Sequence, residues 1–238
     1  MSAALLQVEG LTKRFGGLVA NDSVDLRVGE REIVGLIGPN GAGKTTFFNC
    51  VTGQLRIDAG RVVFGGFDVT NRPPEVVARA GIARTFQIVK VFKEMTVLDN
   101  VMVGAFLREL RASAARVRAL AALELVGLAA QAGVTAGELP VALQKRLELA
   151  RAVATGPRLI VLDEALSGLT PAETQEALAV VRALRDRGIA LLVVEHVMEV
   201  IMTVSDRVVV LDRGRRIAEG PPAAIAHDAR VIEAYLGA

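Results

Sequence analysis

The sequence predicts an α/β fold in which a mainly parallel sheet is covered by helices on both faces. Short apolar stretches recur along the chain, at residues 33–37, 159–162, 189–194 and 208–211. In the second half they alternate with helical stretches, such as the one from Pro171 to Arg187. Strands without a polar face are typical of parallel sheets buried between helices. A glycine-rich loop directly follows the first of these strands, as expected for a ligand-binding α/β protein.

The N-terminal part has a different pattern. Two β-like stretches, 5–8 and 23–28, are separated by the turn Phe15-Gly16-Gly17, and residues 61–64 and 67–69 flank Gly65-Gly66 as in a hairpin. Pro73-Pro74 then begins a helical stretch to about Ala80. This part is therefore predicted to contain antiparallel strands.

The middle of the chain is predicted to be helical. Residues 97–132 are rich in Ala, Leu and Arg at helical spacing. A further helix over 141–155 ends at Gly156-Pro157, a typical stop signal. The alternation of strands and helices resumes only after this insert.

The composition and the lengths of the apolar stretches argue against a membrane-spanning, a secreted or a nucleic-acid-binding protein. The longest apolar stretches fall far below the roughly 18 residues that cross a bilayer. The N-terminus has no basic region before a sustained apolar core, so secretion is not signalled, and the single Cys50 forms no internal disulfide. We therefore expect a cytoplasmic protein. A net charge of only +2 gives no electrostatic reason to expect a nucleic-acid partner.

The loop after the first buried strand matches every defined position of the phosphate-binding pattern G-x-x-x-x-G-K-[ST]. Its candidate nucleotide-binding residues are Gly38, Pro39, Asn40, Gly41, Ala42, Gly43, Lys44, Thr45 and Thr46. Such a loop wraps an anion with backbone N–H groups at a helix N-terminus. Lys44 can reach the β- and γ-phosphates, and the Thr45 hydroxyl can ligate Mg²⁺.

Two carboxylates follow the apolar strand at 159–162, namely Asp163 and Glu164. The C-terminal ends of parallel strands form the ligand crevice, so both side chains are expected beside the phosphates. Asp163 is placed to hold Mg²⁺ through water and Glu164 to polarise the attacking water. Without the phosphate loop, such a pair is more typical of a solvated loop.

With these motifs in place, the chain resembles the ATPase subunits of ABC transporters over essentially its full length. The resemblance implies that Gln87, in Arg84-Thr85-Phe86-Gln87, is the Q-loop glutamine that contacts Mg²⁺ and water. It implies that His196 senses the γ-phosphate, that Phe15 stacks on adenine, and that residues 167–170 form the D-loop.

The same resemblance implies a fold and a domain organisation. The fold is a P-loop NTPase (RecA-like) core with an antiparallel β subdomain and a helical subdomain, all in one domain over 1–238. Its parts are 1–86 (antiparallel strands and the start of the core), 87–155 (helical subdomain with Q-loop and signature region), 156–225 (remainder of the core) and 226–238 (C-terminal helix).

Four segments, 14–18, 47–53, 81–87 and 234–237, resemble more closely the ATPase subunits of branched-chain amino acid importers. This implies import of branched-chain or other hydrophobic amino acids by a complex with membrane permease subunits and an extracytoplasmic substrate-binding protein. The ATPase is then peripheral on the inner face of the cell membrane. Residues 91–98 occupy the place where the family receives a permease helix, although local packing of the helical insert explains them equally well.

One motif departs from the family pattern. The signature, usually Leu-Ser-Gly-Gly-Gln, reads Leu139-Pro140-Val141-Ala142-Leu143 here. In the family this motif donates a hydroxyl and backbone N–H groups to ATP held by the opposite subunit. Pro140 has neither group, and Val141 and Ala142 carry β-carbons where the backbone should approach closely. We therefore expect this chain's ATP site to be completed by another subunit's signature. Ala165 and Thr170 also replace the family's usual proline and Asp or Asn.

These inferences predict an ATPase that uses ATP and Mg²⁺ and works as a homodimer or as a heterodimer with a related ATPase subunit. The candidate catalytic residues are Glu164, His196, Gln87 and Lys44, and the candidate Mg²⁺ ligands are Thr45, Gln87 and Asp163. Two alternatives stay open. Because of its altered signature, the chain could be a catalytically weakened dimerisation module or a non-transport ABC ATPase. A third alternative, a soluble phosphotransferase, would leave Gln87 and His196 unexplained.

Overall fold

A computed structural model describes residues 4–85, 90–165, 167–195 and 198–236. Over these ranges the strands are β1 (Leu6–Phe15), β2 (Leu18–Val28), β3 (Ile33–Ile37), β4 (Ala59–Phe64), β5 (Phe67–Asp68), β6 (Ile82–Arg84), β7 (Leu159–Asp163), β8 (Ala190–Val194), β9 (Arg207–Asp212) and β10 (Arg215–Gly220). The α-helices are α1 (Lys44–Val51), α2 (Pro74–Ala80), α3 (Val97–Ala105), α4 (Ala112–Leu125), α5 (Val141–Ala154), α6 (Pro171–Asp186), α7 (Met198–Val204), α8 (Pro222–Ile225) and α9 (Ala229–Leu236).

The larger sheet has the strand order β10-β9-β3-β8-β7-β6, and only β10 runs antiparallel to its neighbour. Every residue of β3, β7 and β8 is buried, which explains why these strands read as continuous apolar runs. The sequence pattern did not predict β6, which is three residues long, or β10, a strand at the sheet edge with exposed arginines. The predicted parallel sheet is otherwise confirmed.

The smaller sheet is antiparallel, in the order β2-β1-β4-β5. β1 and β2 are longer than the apolar pattern predicted, because their pairing continues through polar residues with three register shifts. Side chains of this sheet and of helix α1 pack on one face of the larger sheet, and Phe47 and Phe48 of α1 are fully buried there. This packing places the start of α1 at the C-terminal edge of the parallel strands.

Helices α6 to α9 cover the opposite face of the larger sheet. Helices α3, α4 and α5 form a third apolar cluster with the segment 126–139 that connects α4 to α5. The predicted fold class, an α/β core with an antiparallel and a helical part, is therefore confirmed. The boundaries at residues 86, 155 and 225 stay predictions. Among the described residues, no helix combines the length and the apolar character that a bilayer crossing requires.

Candidate nucleotide site

The phosphate loop connects the buried strand β3 to helix α1, which begins at Lys44. Gly43 precedes the helix with φ of 97°, a conformation that residues with a β-carbon rarely adopt. A β-carbon on Gly43 would also lie 2.3 Å from the carbonyl oxygen of Ala20. Only glycine fits this position, so Gly43 is required by the packing of the loop as well as by its ligand.

Contacts from two other elements hold the loop. The Asn21 side chain, fully buried on β2, donates from Nδ2 to the Gly43 carbonyl at 3.2 Å. The backbone N–H of Gly214, in the turn between β9 and β10, donates to the Ala42 carbonyl at 3.0 Å. A buried hydrogen bond is costly to break, so both contacts stabilise the loop conformation. Sequence analysis did not predict Asn21 as part of the site.

Lys44 lies at the centre of the loop. Its Nζ donates to the carbonyl oxygens of Gly38 and Pro39, at 2.6 and 3.0 Å. Burial lowers the pKa of Lys44, while the nearby carboxylates of Glu164 and Asp163 oppose that shift. The Lys44 ammonium therefore lies between the loop carbonyls and the acidic pair, where it can bind a phosphate oxygen.

An open cavity of about 620 Å³ lies against the loop, within the usual size range of small-molecule sites. Its wall includes Phe15, residues 40–46, Glu164 and Arg213. Phe15 is 47% exposed at the end of β1, and the Lys13 Nζ lies 5.3 Å from its ring centroid. An accessible aromatic ring beside a phosphate loop can stack on a purine base. The structure thus places Phe15, the phosphate loop and Glu164 around one cavity, and it adds Arg213, which sequence analysis missed.

The two carboxylates follow each other at the end of β7 but differ in setting. Asp163 is buried, and its Oδ2 lies 2.6 Å from the Arg84 Nη2. Glu164 reaches the cavity wall and has φ of 50°, a conformation that is uncommon outside glycine and occurs at active sites. Its backbone N–H donates to the Val194 carbonyl at 2.9 Å, which fixes this conformation.

The donor set fits a magnesium ion held together with phosphate. No cluster of three or more His, Cys, Asp or Glu side chains that could bind a metal occurs in the described part of the chain. Mg²⁺ usually needs only one or two carboxylates, because waters and substrate phosphates supply its other ligands. Thr45 at the cavity and Asp163 at the end of β7 meet that requirement. The other predicted ligand, Gln87, and the predicted catalytic His196 lie outside the described residues.

The altered signature segment is exposed at Pro140 and Val141, whereas Leu139 is buried in the helical cluster. Pro140 caps helix α5 without any side-chain hydrogen bond, and the next residue, Val141, is 65% exposed. The Gln144 Nε2 donates to the Leu139 carbonyl at 2.8 Å, and the Lys145 Nζ donates to the Ser167 carbonyl at 2.5 Å. The segment therefore presents an apolar helix start to solvent, and no hydroxyl or glycine stands among its five residues.

The comparisons with known proteins agree with this geometry. The sequence profile described as ABC transporter matches residues 21–167. The chain belongs to the ABC transporter family. It is an ATPase of that family, as the profile and the curated relatives support. A second profile, described as branched-chain amino acid ATP-binding cassette transporter, matches residues 215–238.

Curated relatives of this ABC ATPase span its whole length. The high-affinity branched-chain amino acid transport ATP-binding protein BraF of Pseudomonas aeruginosa is 42% identical to this chain. The match covers all of this chain and 99% of the length of BraF. The LivG protein of Escherichia coli K12, which carries the same description, is 41% identical with the same coverage. The solved ADP conformation of MJ1267, an ATP-binding cassette of an ABC transporter, matches with a TM-score of 0.91, 33% identity and full coverage of both chains.

Proposed function

We propose that this ABC ATPase hydrolyses Mg·ATP to drive the uptake of branched-chain or other hydrophobic amino acids through membrane permease subunits. The observation that carries the chemistry is the single cavity that joins Phe15, the phosphate loop and Glu164. The full-length similarity to BraF and LivG and the match over residues 215–238 support the substrate class. These similarities also favour this function over the catalytically weakened dimerisation module.

The reaction is phosphoryl transfer to water, so positioning and charge stabilisation supply most of the rate enhancement. In the proposed mechanism the loop N–H groups and Lys44 bind the phosphates, and Phe15 stacks on the adenine. Thr45 and Asp163 would hold Mg²⁺, which would supply positive charge to the phosphate oxygens. Glu164 orients and deprotonates the attacking water. The proposed roles of Gln87 and His196 rest on the resemblance alone.

A groove and an exposed aromatic residue beside it support the assignment of one surface to the permease subunits. A groove of about 220 Å³ between the larger sheet and helix α5 is lined by Pro74, Val77, Arg84 and Glu148 among others. Beside it, Phe92 is 47% exposed and lies 5.3 Å from the Arg151 guanidinium. We assign this region, with residues 91–98, to a permease segment on the cytoplasmic side of the membrane. An extracytoplasmic binding protein would deliver the amino acid.

The altered signature favours a heterodimer over a homodimer. In a head-to-tail dimer, the segment 139–143 of this chain faces the ATP of its partner. With Pro140 and Val141 in this segment, it cannot donate the usual hydroxyl or offer close backbone contact. We therefore propose a second, related ATPase subunit with an intact signature, which completes the ATP site of this chain.

The transport function is tested by reconstituting the chain with the proposed permease and ATPase partner subunits. In proteoliposomes, we expect ATP hydrolysis to rise when leucine-loaded binding protein is added, and labelled leucine to accumulate. The variant Phe92→Asp should lose this stimulation and keep its basal ATPase rate, whereas Phe67→Asp, on the exposed strand β5, should behave like the wild type. Hydrolysis that responds to no hydrophobic amino acid would contradict the proposed substrate class.

A further inference from the structure

None of the sequence motifs explains why the Arg84 side chain is buried. Arg84 is the last residue of β6, and only 8% of its side chain is exposed. Its Nη2 donates to Asp163 Oδ2 at 2.6 Å, and its Nη1 donates to Asn49 Oδ1 at 2.5 Å. One guanidinium group therefore bonds to two different elements at once.

These two elements carry the proposed Mg²⁺ ligands. Asn49 belongs to helix α1, whose second residue is Thr45, and Asp163 ends strand β7. Strand β6 itself leads into the segment that contains Gln87, the third predicted ligand. Among the described residues, Arg84 thus connects the two elements that carry Thr45 and Asp163.

The neighbouring residue reinforces this junction. The Thr85 hydroxyl accepts a hydrogen bond from the Asp163 N–H at 3.3 Å, and the Thr85 N–H donates to the Val161 carbonyl at 3.0 Å. Backbone contacts therefore fix the end of β7 against the end of β6. The Arg84 side chain adds a link between the Asp163 carboxylate and helix α1.

We propose that Arg84 is a positioning residue that holds Asp163 at a fixed distance from helix α1 and so sets the geometry of the Mg²⁺ site. This proposal rests on the proposed metal site. Mg²⁺ demands near-ideal octahedral geometry and usually keeps several waters, so a displaced Asp163 carboxylate would hold the metal-bound water, and with it the metal, poorly. The rigid planar fork of an arginine can bond to Asp163 and Asn49 together, which a lysine ammonium on a flexible stem cannot do as precisely.

A purely structural ion pair is the competing explanation. Buried ion pairs often contribute little net stability, because the desolvation of two charges offsets their attraction. Both explanations predict a lower melting temperature when Arg84 is replaced. Only the positioning role predicts that nucleotide binding weakens in the presence of metal and not in its absence.

The test compares the affinity for a fluorescent ATP analogue in Mg²⁺ and in EDTA. Arg84→Lys and Arg84→Gln are the main variants, and Asn49→Ala removes the second bond while it keeps the ion pair with Asp163. Arg61→Lys is the matched control, because Arg61 forms an exposed ion pair with Asp68 away from the site. Electron paramagnetic resonance of bound Mn²⁺ reports the metal geometry independently of turnover.

Loss of one hydrogen bond to a charged group corresponds to roughly a tenfold or greater change in affinity. We expect the Arg84 variants to bind the analogue about tenfold or more weakly in Mg²⁺, with affinity in EDTA unchanged and an altered Mn²⁺ spectrum. Asn49→Ala should show a smaller loss of the same kind, and Arg61→Lys none. If Arg84→Gln does not fold, Arg84→Lys and Asn49→Ala give the same comparison.

Equal affinity changes in Mg²⁺ and EDTA, or wild-type Mn²⁺ spectra in folded variants, would overturn the positioning role and leave the metal site standing. A wild-type protein whose affinity is the same in Mg²⁺ and in EDTA would overturn the metal site together with the role of Arg84. The two failures are therefore distinguishable by the wild-type measurement alone.

Discussion

The phosphate loop and the signature segment are two of the segments that we propose contact ATP, and in this chain they differ in construction. The loop has all its required residues and is held by buried contacts from Asn21 and Gly214. The signature segment begins α5 with Pro140 and Val141, which are both exposed, and the helix has no side-chain cap. The first is built to bind phosphate, and the second lacks the groups that would do so.

This difference indicates a division of labour between subunits. The residues proposed to bind and hydrolyse the chain's own ATP are present, whereas those that would complete a partner's site are altered. Substitutions that remove side chains should therefore cost much more activity near the loop than in the segment 139–143. Substitutions in the two regions test this contrast.

The largest effect is expected for Glu164→Gln. Without a carboxylate to accept the proton of the attacking water, we expect turnover to fall by about 10²- to 10⁴-fold, the usual contribution of a general base. ATP affinity should stay nearly unchanged, because the amide keeps the shape of the side chain. The ATPase rate and the equilibrium binding of labelled ATP measure the two quantities. Glu75→Gln, an exposed carboxylate on α2, is the control, and unchanged turnover of Glu164→Gln would remove its role.

Lys44→Ala should weaken ATP binding itself. The variant loses charge-assisted hydrogen bonds to the phosphates, each worth about 1.5–3 kcal/mol, so we expect an affinity loss of about 100-fold. Isothermal titration with ATP gives the value, and Lys93→Ala, an exposed lysine, serves for comparison. Wild-type affinity in Lys44→Ala would show that the loop does not hold the phosphates.

Restoring the signature should produce a gain. The variant with Pro140→Ser, Val141→Gly, Ala142→Gly and Leu143→Gln regains the hydroxyl and the close backbone approach. We expect the ATPase rate of the chain alone to rise about tenfold or more at concentrations that allow dimers. Alanine at positions 140, 141 and 143 is the matched control and should give no rise. An unchanged rate in the restored variant would mean that the segment does not limit hydrolysis.

The smallest effect is expected for Thr170→Ala, which lies outside both regions at the start of α6. The Thr170 N–H donates to the Glu173 carboxylate at 2.8 Å, and the Thr170 hydroxyl accepts from the Glu173 N–H, which forms a capping box for α6. Its loss should lower the free energy of unfolding by about 1 kcal/mol in urea denaturation, with ATP affinity unchanged. A drop in ATP affinity would instead assign Thr170 to the site.

The capping box also predicts a pH dependence. The hydrogen bond from the Thr170 N–H is the main reason that the pKa of Glu173 is lowered. Because the folded-state pKa is the lower one, the stabilisation is present above the ordinary carboxyl pKa. It is lost as the pH falls through the lowered value. The difference in unfolding free energy between wild type and Glu173→Gln, measured by urea denaturation at neutral and acidic pH, should therefore shrink in acid.

The sequence predicted much of the site because its signals are local. The phosphate loop is a continuous motif, and Asp163 and Glu164 directly follow a buried strand, so fold topology alone brings them together. The alternation of strands and helices after residue 156 was likewise readable from hydropathy. The capping function of Thr170 explains in physical terms why it can replace the family's usual Asp or Asn, which cap helices in the same way.

The remaining features depend on contacts between distant residues. Arg84 meets Asp163 across 79 residues and Asn21 meets Gly43 across 22, and neither pair has a spacing that marks it in the sequence. Arg213 reaches the cavity through a turn with positive φ, which side-chain chemistry alone does not reveal. Strand β6 is too short for its period to be recognised. These features follow from tertiary structure and could not have been predicted from local pattern.

The most direct measurement is the ATPase rate of the purified chain, alone and mixed with a related ATPase subunit that carries an intact signature. If an intact signature from that subunit completes the ATP site, the chain alone will hydrolyse ATP slowly and without cooperativity. The rate will then rise on mixing, and it will fall again when the partner carries a damaged signature. Full, cooperative hydrolysis by the chain alone, equal to that of the mixture, would contradict this division of labour.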